Sequence, residues 1–321
     1  MNTITFSTVS SNGLKMRVAE AGSGPLVILA HGWPESWYSW RHQLTALADA
    51  GYHAIAPDMR GYGDTDAPPD VADYRVDHLA ADLVGLADHF GAARPTLVGH
   101  DWGANAVWHA ALLHPQRFNG VVGLSVPYWP RGETSLTTLF KAMHGDNFFY
   151  ILYHNEPGGV AEAEYDSRPR DLIERMYTSP DTPRDEPLIT DPLRSAGGFV
   201  DRIGAPKELA AWLTAEDVDY YVGEFERAGF RGGVNYYRNF DANWSLMADV
   251  DPIQKIPAAF IAGSEDMVIN GADQAALQAG MSAVIPDLRG VTVIPDVGHW
   301  VQQEAPEATN AAIIEFLRSL D

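Results

Sequence analysis

A glycine-flanked aspartate, Asp101, is the residue whose surroundings most directly indicate chemistry in this chain. It stands in the stretch 98–103, Val-Gly-His-Asp-Trp-Gly, after an apolar run and before a helix-like run. That order predicts a strand, a sharp turn and a helix, and the two glycines leave room for a strained turn that lifts the aspartate above the sheet. A carboxylate held there can attack carbon directly. Attack at a saturated carbon gives an ester, which water must then cleave with the help of a base.

The base and its supporting acid are predicted at the ends of two later strands. His299 follows the last predicted strand, and Glu265 and Asp266 follow the strand before it. Nucleophile, acid and then histidine is the chain order of α/β-hydrolases. We expect His299 to take a proton from the hydrolytic water, while Asp266 fixes the imidazole tautomer and stabilises the imidazolium. Glu265 is an alternative acid, which the register of the turn favours less.

The elements that must position these residues follow the pattern of a mainly parallel sheet covered on both faces. Short apolar runs alternate with amphipathic helical segments along most of the chain, which is typical of α/β folds. Helices are predicted between the first two strands, across residues 79–90 and after Pro306. The predicted strands cover residues 25–30, 52–56, 95–98, 120–126, 258–262 and 291–294.

The alternation of strands and helices breaks between about residues 127 and 249. This stretch holds aromatic-rich helical segments and a loop rich in proline, glycine and aspartate at 179–206, with no convincing buried strand. We therefore expect a core formed by residues 1–127 and 250–321, with a helical lid inserted at 128–249. An insertion at this point would cover the strand ends where Asp101 stands.

Composition limits the classes of partner that this protein can have. The 321 residues carry 22 Lys and Arg against 43 Asp and Glu, a formal net charge of -21. So acidic a surface repels phosphate backbones and anionic headgroups, which argues against nucleic-acid and membrane partners. The absence of cysteine excludes disulfides and thiolate chemistry. Since the start of the chain resembles no signal peptide and no run approaches transmembrane length, a cytoplasmic protein is expected.

No metal or organic cofactor is implied by the sequence. His109 and His114 are five residues apart, the wrong spacing for two ligands on one helix face, and no H-E-x-x-H motif is present. The segment 58–63 resembles a glycine-rich phosphate loop only superficially, because it lacks the third glycine. We interpret it as a turn.

Three short motifs resemble those of the epoxide hydrolases of the α/β-hydrolase superfamily, in particular the soluble epoxide hydrolases. His-Gly-Trp-Pro at 31–34 resembles their H-G-x-P motif, Gly-His-Asp-Trp-Gly at 99–103 their nucleophile motif, and Gly-His-Trp at 298–300 their histidine motif. The resemblance implies that the backbone N–H groups of Trp33 and Trp102 form an oxyanion hole.

Two segments of the predicted lid extend this resemblance. Residues 150–158 and 230–239 resemble the two tyrosine segments of the family, and Tyr150 and Tyr237 match its catalytic tyrosines position by position. A phenol with a pKa of about 10 stays protonated at neutral pH, so it can hydrogen-bond an epoxide oxygen and donate a proton as alkoxide charge develops.

Together these features predict an epoxide hydrolase that forms a vicinal diol through a covalent aspartyl ester, without a cofactor. Aromatic side chains are expected to bind the substrate and to favour a small apolar or aryl epoxide. We expect a monomer or a homodimer. The predicted substrate-binding residues are Trp33, Trp102, Phe148, Phe149 and Trp300.

Two other functions fit parts of the sequence. A haloalkane dehalogenase would use the same Asp101 and His299, with the indole N–H groups of Trp33 or Trp102 holding the halide. A non-enzymatic binding protein on a degenerate hydrolase scaffold is the second alternative. It is disfavoured because degenerate members tend to lose the nucleophile or the histidine, and this chain has both.

Overall fold

The computed structural model describes residues 3–320, which form an eight-stranded sheet in the order β1-β2-β4-β3-β5-β6-β7-β8. The first two strands pair antiparallel, and β3 to β8 run parallel to one another. The predicted α/β fold with a mainly parallel sheet is thereby confirmed. The strands are β1 Thr5–Ser11, β2 Leu14–Gly22, β3 Leu26–Ala30, β4 His53–Pro57, β5 Thr96–His100, β6 Gly120–Leu124, β7 Ala258–Gly263 and β8 Leu288–Ile294.

Thirteen α-helices accompany the sheet in the described part of the chain. They are α1 Arg41–Asp49, α2 Val76–His89, α3 Trp102–Leu113, α4 Leu136–His144, α5 Tyr150–His154, α6 Val160–Ser167, α7 Pro169–Met176, α8 Ala215–Ala228, α9 Arg231–Tyr237, α10 Phe240–Leu246, α11 Gln274–Ser282, α12 Val301–Glu304 and α13 Pro306–Arg318. Short 3₁₀ helices cover Trp37–Trp40, Val71–Tyr74, Pro115–Arg117, Arg194–Ala196 and Val200–Arg202. Across residues 3–320, no helix has the length and apolar character needed to cross a membrane.

The central strands are apolar throughout because both faces of the sheet are covered. Every residue of β3, β5, β6 and β7 is buried, as expected for parallel strands between two helical layers. Alternate residues enter opposite cores: Ile28 and Leu97 pack in the core that contains α2 and α3, whereas Val27 and Val98 pack in the core that contains α1 and α13. Both layers therefore fix the position of the loops that leave the carboxyl ends of these strands.

Two strands at the edge of the sheet were not predicted from the sequence. β1 and β2 form a hairpin in which Ser11 pairs with Leu14, so Asn12 and Gly13 alone form the turn. Both turn residues have positive φ, 47° and 79°, the conformation for which Asn-Gly is favoured in two-residue hairpins. The Asn-Gly pair was the sequence signal for this hairpin.

Helices α4 to α10 all lie between β6 and β7. Within the described residues this stretch adds no strand to the sheet, and it contains only the isolated bridges Asn147 to Leu193 and Arg184 to Pro206. Its contact with the rest of the chain includes an ionic junction, in which Arg17 of β2 bonds Asp58 and Glu224 of α8, each at 2.5 Å.

Candidate active site

Asp101 occupies a strained turn between β5 and α3. Its φ is 52° and its ψ is -116°, a conformation that L-residues adopt only where the surrounding structure holds it. A Cβ atom on Gly103 would lie 1.9 Å from the carbonyl oxygen of Ala30, and one on Gly99 would lie 2.2 Å from the carbonyl oxygen of Gly103. Both glycines are therefore required for the close approach of β5, α3 and the loop after β3.

The two oxygens of the Asp101 carboxylate have different environments. Oδ1 accepts a hydrogen bond of 2.8 Å from the backbone N–H of Trp33, in the loop after β3. Trp102 is the first residue of α3, so its backbone N–H has no acceptor within the helix. Oδ2 lies 3.7 Å from Nε2 of His299, which is beyond hydrogen-bonding distance. Oδ2 is therefore the oxygen that is free to attack.

His299 and Asp266 form a close pair below this carboxylate. Nδ1 of His299 lies 3.0 Å from Oδ1 and 3.1 Å from Oδ2 of Asp266. The neighbouring Glu265 is exposed and accepts from Ser264, so of the two candidate acids it is Asp266 that reaches the histidine. Burial raises the pKa of Asp266, but the charge and hydrogen bond of His299 outweigh burial and hold that pKa below its usual range.

The charge of His299 depends on both carboxylates. Burial lowers the pKa of the imidazole, yet the charge of Asp266 and the contact with Asp101 outweigh it, so the pKa is raised well above 6.5. The histidine is therefore held as an imidazolium beside Asp101 and Asp266. Esterification of Asp101 removes one of these two negative charges and lowers the pKa of His299, which then becomes available as a base.

Buried polar groups hold the backbone of the histidine loop. The carbonyl oxygen of His299 accepts from Nε2 of His100 and from Oγ of Ser125, both at 2.8 Å. Nδ1 of His100 is hydrogen-bonded to the buried Glu35. No sequence spacing links Glu35 or Ser125 to His299, because three separate loops meet here.

Tyr150 and Tyr237 meet above Asp101, as the first residue of α5 and the last of α9. Their ring centroids are 5.9 Å apart at an interplanar angle of 78°. Burial raises the pKa of both phenols above the ordinary value of 10.0, and the charge of Asp101 is the second largest cause of this rise. Both phenols are therefore protonated at neutral pH.

The neighbouring tyrosines of the same two helices point elsewhere. The hydroxyl of Tyr153 donates to Glu164 at 2.9 Å, and that of Tyr236 donates to the carbonyl oxygen of Arg60 at 3.0 Å. Neither ring lines the cavity that contains Asp101. These two residues are therefore matched controls for any experiment on the other pair.

One cavity of about 720 Å³ contains Asp101, Tyr150 and Tyr237 in its wall. It runs along α3 and opens beside Trp129 and Trp244, and most of its wall is aromatic or aliphatic. That volume lies within the range of about 300–1,000 Å³ that is usual for small-molecule sites. Much of the wall comes from α3, α4, α5, α10 and the loop 126–134, including Val126, Tyr128, Phe140, Ile151 and Phe240.

Of the five aromatic residues predicted to bind substrate, Trp102 lines this cavity and the other four do not. Trp33 packs edge-on against Tyr237 with ring centroids 5.8 Å apart. Trp300 donates its indole N–H to the carbonyl oxygen of Met176. Phe148 and Phe149 stack on Phe199 and His144.

Comparison with known proteins gives a consistent result over the whole chain. Residues 25–306 match the family described as the alpha/beta hydrolase fold. The chain is 46% identical to epoxide hydrolase A of Mycobacterium tuberculosis over 100% of this chain and 99% of that protein. It is 41% identical to epoxide hydrolase 2 of Siraitia grosvenorii over 99% of both. The crystal structure of epoxide hydrolase A from Mycobacterium thermoresistibile superposes with a TM-score of 0.89 at 46% identity, covering 99% of each chain.

Proposed function

The chain belongs to the α/β-hydrolase family, as one of its epoxide hydrolases, and we propose that it makes a vicinal diol through a covalent ester on Asp101. One observation carries the residue assignment: the carboxyl group of Asp101 and two phenols of raised pKa share the wall of a single cavity. A carboxylate is the nucleophile that ring opening needs, and phenols are acids for the departing oxygen.

In the first step, Oδ2 of Asp101 bonds to one ring carbon as the bond between that carbon and the ring oxygen breaks. The ring oxygen receives hydrogen bonds from Tyr150 and Tyr237 and takes a proton from one of them. Since burial and the charge of Asp101 raise the pKa of both phenols, the phenolate left behind is unfavourable and regains a proton from solvent.

In the second step, water attacks the ester carbonyl of Asp101. His299, whose pKa has fallen with the loss of the Asp101 charge, takes a proton from that water, and Asp266 stabilises the imidazolium. The N–H of Trp33 already bonds Oδ1 and, with that of Trp102, stabilises the negative charge that develops on this oxygen. Collapse of the tetrahedral intermediate breaks the bond between the carbonyl carbon and the substrate oxygen, which takes the remaining proton of the added water, so that the carboxylate is restored and the diol is released.

We further propose that residues 128–249 act as a lid on a core made of 1–127 and 250–321. In this arrangement the lid contributes both phenols, while the core contributes the nucleophile, base and acid. The catalytic set is complete only when the two parts are packed together, as the Arg17 junction with Glu224 supports.

A small apolar or aryl epoxide is the proposed substrate, because the cavity wall is mainly apolar and includes Trp102, Phe140 and Phe240. The expectation that the protein has no nucleic-acid or membrane partner rests on its net charge of -21. The cytoplasmic location and the choice between a monomer and a homodimer rest on the sequence alone and stay predictions.

The test is a single turnover of styrene oxide in ¹⁸O-labelled water, with excess enzyme. The ester mechanism places an enzyme oxygen in the diol and the label in Asp101, which peptide mass spectrometry locates. Label in the first-turnover diol would instead mean that water attacks the epoxide directly. Halide release from bromoalkanes without any diol from epoxides would identify a dehalogenase.

A further inference from the structure

One face of α3 carries a line of polar residues away from the nucleophile. Asn105 and His109 stand four and eight positions after Asp101, a spacing that places side chains on one side of a helix. Both residues line the cavity that contains Asp101. With a rise of about 1.5 Å per residue, they lie about 6 Å and about 12 Å from Asp101 along the helix axis.

The tautomer of His109 follows from its hydrogen bond. Nδ1 lies 2.7 Å from the backbone carbonyl oxygen of Asn105, and because a carbonyl oxygen can only accept, Nδ1 carries the proton. Burial lowers the pKa of this imidazole, so the ring is neutral. Nε2 therefore presents a lone pair as an acceptor, and no side chain or backbone group within residues 3–320 donates to it.

The side chain of Asn105 also lines the cavity. Its carboxamide offers two donors and one acceptor. The same cavity wall includes the apolar side chains of Val126, Leu112 and Phe240. A few polar groups in a mainly apolar cavity wall are the groups that orient a ligand and give the site its specificity.

We propose that Asn105 and His109 form a polar subsite that selects epoxides bearing a hydroxyl group remote from the ring. This inference rests on the proposed function and adds a class of substrate to it. A hydroxyl donates to Nε2 of His109 and accepts from the amide of Asn105, so it satisfies both residues at once. A methyl group satisfies neither, and a carboxylate or halogen, which can only accept, leaves Nε2 without a donor.

The test compares unbranched terminal epoxides that end in CH₂OH or in CH₃, matched in length through a series. We expect the ratio of kcat/KM between the hydroxyl and methyl members to peak at one length, at about 2- to 10-fold. His109→Leu and Asn105→Leu should each bring the peak ratio towards one. His109→Gln, which keeps an acceptor, should retain part of it, and Leu112→Val, which alters the same wall without a polar group, should leave the ratio unchanged.

The same comparison is made by calorimetry with the corresponding product diols, whose binding needs no turnover. Loss of hydroxyl selectivity in His109→Leu, in either measurement, supports the subsite. A ratio of one at every length in the wild type, with equal binding of both diols, overturns it even if all the epoxides are hydrolysed. A ratio that is unchanged in both leucine variants overturns it too, whatever they do to stability. If no epoxide gives a diol, the proposed function fails, and the binding comparison still decides the subsite.

Discussion

Removal of the phenol hydroxyls gives a quantitative test of ring opening. Tyr150 and Tyr237 lie in the same wall with ring centroids 5.9 Å apart, so one epoxide oxygen can bond both. A hydrogen bond to a charged group contributes about 1.5–3 kcal/mol, which is about 10- to 150-fold in rate. We therefore expect Tyr150→Phe and Tyr237→Phe each to slow alkylation of Asp101 by about that factor.

The double variant should lose acid assistance altogether. General-acid catalysis contributes about 10²- to 10⁴-fold, and the double variant should approach that loss. In each single variant the remaining phenol partly substitutes for the missing one, so the two single effects should not multiply to the double effect. The assay is single-turnover alkylation followed by tryptophan fluorescence, since the Trp102 ring packs against Tyr237 with centroids 5.1 Å apart.

Matched controls come from the adjacent tyrosines. Tyr153→Phe and Tyr236→Phe remove hydrogen bonds to Glu164 and to the Arg60 carbonyl oxygen, so each should cost about 1 kcal/mol of stability but leave alkylation at the wild-type rate. If the Tyr150→Phe/Tyr237→Phe protein is alkylated at the wild-type rate, the assignment of the phenols is refuted and a haloalkane dehalogenase is favoured instead.

Three further predictions concern the acid-base pair. His299→Gln should still open the epoxide but accumulate an alkyl-enzyme, seen as an added substrate mass in intact-protein mass spectrometry; a folded variant without adduct would contradict the division of steps. Asp266→Asn should slow ester hydrolysis less severely, whereas Glu265→Gln, whose side chain is exposed, should match the wild type in the same single-turnover assay. Because the folded-state pKa of His299 is raised above 6.5, its charge stabilises the protein fully below pH 6.5 and progressively less as the pH rises through the folded value. The difference in free energy of unfolding between wild type and His299→Gln should therefore become smaller above pH 6.5 in urea titrations. A difference that grows with pH would contradict a raised pKa of His299 in the folded protein.

The fold and the reaction class were accessible from sequence because their signals are local. Continuous apolar strands and glycine-flanked Asp101 predicted a parallel sheet with an elbow, which the sheet order and family match confirm, and the named relatives confirm the prediction of an epoxide hydrolase. The roles of individual residues stay predictions, although the structure brings Asp101, His299, Asp266, Tyr150 and Tyr237 together.

The directions in which side chains point could not be predicted from the sequence where tertiary packing determines them. Phe148 and Phe149 are aromatic and adjacent to Tyr150, yet they turn to Phe199 and His144, because α5 is only one turn long and its surroundings fix it. Asn105 was accessible in principle, since its spacing of four from Asp101 predicts a shared face once α3 is known to begin at Trp102.

The Arg17 junction has a consequence for attempts to shorten this enzyme. The edge hairpin of β1 and β2 lies far along the sheet from Asp101 and looks dispensable, yet Arg17 bonds Asp58 and Glu224 of α8, both of which are buried. Trimming the hairpin would remove the cation beside Asp58 and leave Glu224 paired only with the half-exposed Arg227, and breaking a buried pair in this way costs about 3–5 kcal/mol. A minimal version of the catalyst therefore has to keep its N-terminal strands, or replace both carboxylates together with them.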